Sequence, residues 1–170
     1  MADKEFTDAI MLLRSDHDEV TALFKQFEQT EGSEKKRAIA EQICNELKIH
    51  SMIEEEIFYP ALKGKIDDDL LDEAYVEHDG AKVLINDIMA GGPDDDYYDA
   101  KVTVLQEEIE HHVEEEEMPK EGMFAQAREA DVDLVALRDQ MAARKEELTA
   151  QAESEGLPPA QLTTVAQLTA

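Results

Sequence analysis

The residues in this chain that could do chemistry are four histidines and two glutamates. His17, His50, His78 and His112 each sit among apolar residues at helical spacing, and Glu54 and Glu116 follow two of them in His50-Ser-Met-Ile-Glu54 and His112-Val-Glu-Glu-Glu116. Residues four apart lie one above the other on a helix face, so each glutamate shares the face of its histidine. Six ionisable groups turned into an apolar core would cost more than a domain's net stability if left bare. A bound metal removes that cost. Four imidazoles and two carboxylates are too many for one tetrahedral zinc. Two ions sharing Glu54 and Glu116 as bridges would divide the histidines evenly. Mixed nitrogen and oxygen ligands with open positions suit non-heme iron, with water, hydroxide or oxide completing the coordination; manganese fits less well.

Residues near these six read differently. His111 falls off the Val102-Leu105-Ile109 stripe and is expected at the surface. Periodicity selects only Glu116 from the Glu114 to Glu117 run, the rest being a solvated face. Asp16 reads as an exposed acid, with orientation of a histidine as the alternative. Phe58 and Tyr59 read as packing groups, and the methionines as gap-fillers. Cys44, the one cysteine, excludes an internal disulfide and sits in a helical pattern as a buried thiol.

Helices must position these groups. Four segments carry stripes at i, i+3, i+4, i+7 spacing. The first, about 7–29, reads Ile10, Leu13, His17, Val20, Phe24, Phe27. The second, about 33–62, reads Ile39, Ile43, Leu47, His50, Glu54, Ile57, Ala61. The third, about 67–89, reads Leu71, Ala74, His78, Ala81, Ile85, Ile88. The fourth, about 94–117, reads Tyr98, Val102, Leu105, Ile109, His112, Glu116. Short connections make neighbouring helices antiparallel. The architecture predicted is an all-α, up-down-up-down four-helix bundle over residues 1–120. Residues 121–170 add a C-terminal helical extension, about Phe124 to Gln151, and a loosely held tail from Ala152. The extension is expected to pack on the bundle or on a second subunit, as in a homodimer. Each histidine lies roughly 17–27 Å from a helix end at the α-helical rise, which allows a common layer.

Composition agrees. The 170 residues suffice for one domain, and few Gly and Pro residues favour helix. A net charge of −26 disfavours nucleic-acid backbones and anionic membrane surfaces and favours cations. The polar N-terminus lacks an apolar signal region and no apolar run reaches membrane-spanning length, so a cytoplasmic protein is expected.

The segments Ser15-Asp16-His17, His50-Ser-Met-Ile-Glu54-Glu55-Glu56-Ile-Phe-Tyr-Pro60, Glu77-His78 and His111-His112-Val-Glu-Glu-Glu116 resemble the hemerythrin-like (HHE cation-binding) domain proteins. The likeness runs roughly over residues 5–150. It implies a non-heme di-iron centre on the same six residues. Oxygen-carrying hemerythrins have a further histidine one turn before the third-helix ligand, where this chain has Ala74. The position left open would go to solvent or to a nearby acid such as Glu55 or Glu77, which argues against reversible oxygen transport. The resemblance implies a protein that binds, senses or reacts with oxygen, peroxide or nitric oxide, or that handles iron. An enzyme consuming peroxide at the same centre is the alternative. A metal-dependent phosphohydrolase built on His78-Asp79 would leave both His-x-x-x-Glu pairs unused, as would a metal-free interaction module. A ferritin-like store would use Glu-x-x-His instead.

Overall fold

The computed structural model describes residues 5–165. The start of the chain at residues 1–4 and the end of the tail at 166–170 lie outside the described residues. Among the described residues there are helices and turns but no strand. They are α1 (Ala9–Glu28), α2 (Ser33–Ile53), a π-helical turn (Glu54–Phe58), α3 (Tyr59–Leu62), α4 (Asp68–Ala90), α5 (Tyr98–Glu117), α6 (Met123–Glu129) and α7 (Leu134–Ser154).

Local chemistry sets several boundaries. Asp8 caps α1 by accepting from the Met11 amide at 3.0 Å, and Asp133 caps α7 by accepting from Ala136 at 2.9 Å. The fourth long helix begins at Tyr98, not at the expected Asp94, because residues 94–97 are spent on a turn in which Asp95 accepts from the Gly92 amide at 2.7 Å. Gly122 turns the chain out of α5, where a Cβ would run into the Met118 carbonyl. The extension is two helices, α6 and α7, joined by a short break.

α1, α2, α4 and α5 form a closed ring in which each packs on the next. Two apolar clusters fill it. One holds Ile10, Leu13, Ile53, Phe58, Leu62, Leu71 and Ala74; the other holds Val20, Phe24, Ile43, Leu47, Ala81, Ile85, Val102 and Leu105. α1 and α4 run from the first cluster into the second, and α2 runs from the second into the first. α5 also leaves the second cluster, and α6 follows it in the first. The bundle is therefore up-down-up-down. Met123, Phe124 and Ala127 of α6, and Leu137, Met141 and Leu148 of α7, complete the first cluster. α7 lies along α1 and α2 of its own chain. No helix among the described residues is long and apolar enough to cross a membrane.

The second helix departs from its expected course. After Glu54 the buried positions are Phe58, Tyr59 and Leu62, whereas the stripe extended through Ile57 and Ala61, which are only partly covered. The cause is the π turn, where the Tyr59 amide donates to the Glu54 carbonyl, five residues back. Pro60 has no amide hydrogen to donate to the Glu56 carbonyl, so the α-helical ladder is already broken there. In a continuous α-helix Tyr59 would sit about 140° around from Glu54; the wider turn returns it to the same face.

The tail also departs from expectation. Residues 157–165 are held against α2 and α4. The Leu157 carbonyl accepts from Lys48 Nζ at 3.3 Å, and Ala160 exchanges two hydrogen bonds with the Asn86 side chain, at 2.8 and 2.9 Å. Asp79 accepts from the amides of Thr163, Thr164 and Val165 at 2.8, 2.6 and 3.1 Å. Saturating a buried carboxylate with backbone donors is what fixes a segment otherwise rich in loop-forming residues.

Candidate metal centre

Between the two apolar clusters lies a polar layer. It contains His17 from α1, His50 from α2, Glu54 from the π turn, His78 from α4, and His112 and Glu116 from α5, all buried. The structure brings together all six residues picked out by periodicity.

They converge through the Nε2 atoms. His17 Nε2 is 3.2 Å from His50 Nε2, and His78 Nε2 is 3.2 Å from His112 Nε2. Glu116 reaches both pairs, with Oε2 3.3 Å from His17 and Oε1 3.2 Å from His112. Glu54 does the same through one oxygen, 2.9 Å from His50 and 3.4 Å from His78. The donor atoms form two groups, His17-His50-Glu116 and Glu54-His78-His112, each within 4.8 Å throughout. Each carboxylate therefore stands between the two histidine pairs.

Behind each imidazole stands a second carboxylate. His17 Nδ1 meets Glu117 at 2.8 Å, His50 meets Asp16 at 2.9 Å, His78 meets Glu55 at 3.1 Å, and His112 meets Glu77 at 3.0 Å. Every one of these acids is the sequence neighbour of a residue in the inner layer, yet it serves a histidine on the next helix of the ring. α1 supports α2, α2 supports α4 across its π turn, α4 supports α5, and α5 closes back on α1. A carboxylate accepting from Nδ1–H fixes the tautomer that aims the Nε2 lone pair inward. Lys145 of α7 braces Asp16 at 2.5 Å, and Lys82 braces Glu55 at 2.8 Å.

Lone pairs aimed at one another need something positive between them. Both oxygens of Glu54 and Oε2 of Glu116 are buried without a hydrogen-bond donor, although imidazole nitrogens stand close by. Buried polar atoms in native proteins are rarely left this way. Without a cation, protons must serve. Burial opposes charging of His50, but Glu54 and Asp16 outweigh it and hold its pKa up at about 10. Burial likewise opposes His17 and His112, and their carboxylate partners still raise them, His112 strongly. Against burial, the histidines draw Glu54 down and Glu116 well below the usual carboxylate range. The donor chemistry thus fits a pair of cations held by two imidazoles each and shared carboxylates.

Several neighbours differ from their sequence reading. Asp16 is a buried partner of His50, not an exposed acid. Glu117 is bonded to His17, so Glu116 is not alone among the run's acids in serving the centre. Glu55 and Glu77 support histidines from behind rather than extending the inner layer. The group that joins it is Tyr59, read above as packing. Its hydroxyl donates to Glu116 Oε1 at 2.7 Å and stands 3.2 Å from His78 Nε2 and 3.4 Å from His112 Nε2. Burial first, then Glu116 and Glu54, push the phenol well above its ordinary pKa, so it remains a donor. The sequence signal available for the outer acids was their adjacency to the inner six; for Tyr59 it was Pro60. His111 is exposed, as expected, and Cys44 is a buried thiol pushed up to about 12 by burial.

On the side of the second apolar cluster, a cavity of about 30 Å³ adjoins the histidines, walled mainly by Val20, Leu47, Ala81, Ile85, Ile109 and Val113. It has room for a water or a similarly small molecule.

The family model for the Hemerythrin HHE cation binding domain matches residues 8–127. A hemerythrin HHE cation binding domain-containing protein from Mycobacterium kansasii, solved by crystallography, superposes with a TM-score of 0.72 at 23% identity, covering 89% of this chain and 96% of that one. A protein called DNA nickase from Nostoc sp. is 28% identical over 116 residues. That match takes in 68% of this chain but only 33% of the Nostoc protein, so the likeness concerns about a third of that relative.

Proposed function

The chain belongs to the Hemerythrin HHE cation binding domain family, and from that premise we propose that it is a cytoplasmic non-heme di-iron protein that senses or reacts with oxygen, peroxide or nitric oxide. The observation that carries this reading is the pair of donor groups, each with two imidazole Nε2 atoms, spanned by Glu54 and Glu116 whose buried oxygens lack donors. Iron bound there would supply redox chemistry and exchangeable coordination positions.

The chain's own residues do the rest. The outer carboxylates keep all four imidazoles aimed inward. The apolar walls exclude bulk water and limit the ligand to a few atoms, which agrees with a diatomic or peroxide. Ala74 adds no ligand on α4, and Glu55 and Glu77 are engaged behind His78 and His112, so neither a third imidazole nor a further carboxylate joins this half of the centre. Such a centre favours reaction over reversible carriage. The strand cleavage implied by the Nostoc relative's name is not adopted, because a net charge of −26 repels a nucleic-acid backbone.

Elemental analysis and optical spectra of anaerobically iron-loaded protein test the reading. It expects about two irons per chain and, after reduction and exposure to air, a rapid spectral change that vacuum does not reverse. Saturation at one ion, preference for zinc, or full reversal under vacuum would each defeat it. A peroxide-consuming enzyme is the second reading, and Tyr59 favours it. Heterolysis of an O–O bond leaves negative charge on the departing oxygen, and the Tyr59 hydroxyl is a hydrogen-bond donor already inside the ring of donors that could stabilise it. Sustained peroxide turnover that falls in Tyr59→Phe while iron content is kept would support that reading over a sensor.

A further inference from the structure

Asp79 follows a proposed ligand in sequence, yet it has no part in the inner layer or in the carboxylates behind it. It is nearly inaccessible; Lys82 Nζ stands 3.4 Å from Oδ1, and its other partners come from the chain's own C-terminal segment: the amides of Thr163, Thr164 and Val165, and the Thr164 hydroxyl at 2.7 Å. That latch brings Thr163 over the metal centre's outer layer. The Thr163 hydroxyl donates to Glu55 Oε1 at 2.8 Å, Lys82 Nζ lies 3.2 Å from the same hydroxyl, and the other oxygen of Glu55 supports His78 Nδ1. An unbroken set of hydrogen bonds therefore runs from the tail, through Glu55, to a histidine of the inner layer. The segment also lies beside a cavity of about 250 Å³ lined by Ser51, Met52, Glu55 and Lys82 of the bundle and by Leu157 to Gln161 of the tail.

We propose that residues 157–165 are a releasable strap, latched by Asp79, whose docking positions Glu55 and so sets how tightly His78 holds its metal. Thr163 is the positioning residue. The strap buries few apolar side chains; it is held by hydrogen bonds from Lys48 to Leu157, between Asn86 and Ala160, and from residues 163–165 to Asp79. Such segments open more readily than the core they cover. Docked, the Thr163 hydroxyl and Lys82 restrain Glu55 against His78. Undocked, Glu55 loses one of its donors and the face between α2 and α4 is uncovered. Linkage makes the effect reciprocal: if docking tightens metal, metal must tighten docking by the same factor. Occupancy of the buried centre is thus reported on the surface as strap position.

This inference rests on the metal-centre reading, and the test separates the two. Full-length protein is prepared metal-free and iron-loaded, and iron content is measured first. Hydrogen exchange of the 157–165 amides is then followed in both forms, and iron removal by a strong chelator is timed for wild type, Thr163→Val, Thr163→Ser and Asp79→Asn. The expected results are slower amide exchange in the loaded form, and iron loss about three- to tenfold faster in Thr163→Val and Asp79→Asn, the scale of one or two hydrogen bonds. Thr163→Ser, which keeps the hydroxyl, should behave as wild type. A general loss of stability would not be repaired by serine, nor would it confine the metal-dependent protection to the strap. Two irons bound with identical strap exchange in both forms, or with Thr163→Val releasing iron at the wild-type rate, overturn the strap and leave the centre standing. A chain that takes up no metal overturns both.

Discussion

His111 and His112 are adjacent, equally capable of binding metal, and separated only by the pitch of α5. His111 is 64% exposed at its side chain and His112 is 5% exposed. His112→Ala should therefore abolish uptake of one ion or both, while His111→Ala should leave iron content unchanged; a colorimetric iron assay decides, and the opposite pattern would place α5 in the wrong phase. The acids behind the histidines make a subtler case. Glu117 touches no other inner residue than His17, yet it fixes that ring's tautomer. Glu117→Gln should keep the fold and weaken metal binding by about 10- to 100-fold, the usual cost of losing such a partner, as read by competition with a chelator. Binding as tight as wild type would show that Glu117 is only a surface neighbour. These acids could not be assigned from sequence, because each serves a histidine on another helix. That the inner six share one buried layer could be read there, because helical phase turns them to the same side.

The same contrast holds for elements. The stripes of α1 and α4, and of α2 up to Glu54, were legible because an amphipathic face is written at a fixed period whatever it packs against. The π turn was not, since it adds one residue to a turn without changing composition, and only Pro60 hinted at it. Nor was the strap, whose order comes from Asp79 and Asn86 far away in sequence, while its own composition reads as loop. α6 shows what an apparent appendage can do. Phe124 is 1% exposed, stacks on the His17 ring with centroids 5.8 Å apart, and meets Phe58 edge-on at 6.0 Å. Phe124→Ala should cost about 3–5 kcal/mol through the lost burial and the cavity it leaves. Val135→Ala, at a half-exposed position in α7, should stay within about 0.5 kcal/mol. Urea unfolding of the two variants measures both, and a Phe124→Ala loss no larger than that of Val135→Ala would mean that α6 is not part of the core.

Taken whole, the molecule stacks two apolar clusters around one charged layer, so its stability should depend on what neutralises that layer. In the metal-free protein the neutralising agent is the proton. His50 titrates near 10 when folded against about 6.5 when unfolded, and a raised pKa gives stability that is complete below the unfolded value and lost as pH climbs towards the folded one. His17 and His112 act in the same direction. Glu54 and Glu116 are depressed, so their contribution is present above the ordinary glutamate range, near 4.5, and lost as pH falls below it. Metal-free protein should accordingly be most stable at about pH 5–6.5 and melt at progressively lower temperature up to about pH 10. Iron-loaded protein should behave differently. A metal must displace those protons, so its affinity rises over the same interval and its stabilisation by mass action rises with it. The gap between loaded and metal-free melting temperatures should therefore widen steadily from pH 6 towards pH 9. Calorimetry of the two forms in buffers that do not bind metal gives the gap directly. A gap that stays constant or narrows with rising pH would show that iron and protons do not compete for the buried layer, and the centre would then have to lie elsewhere.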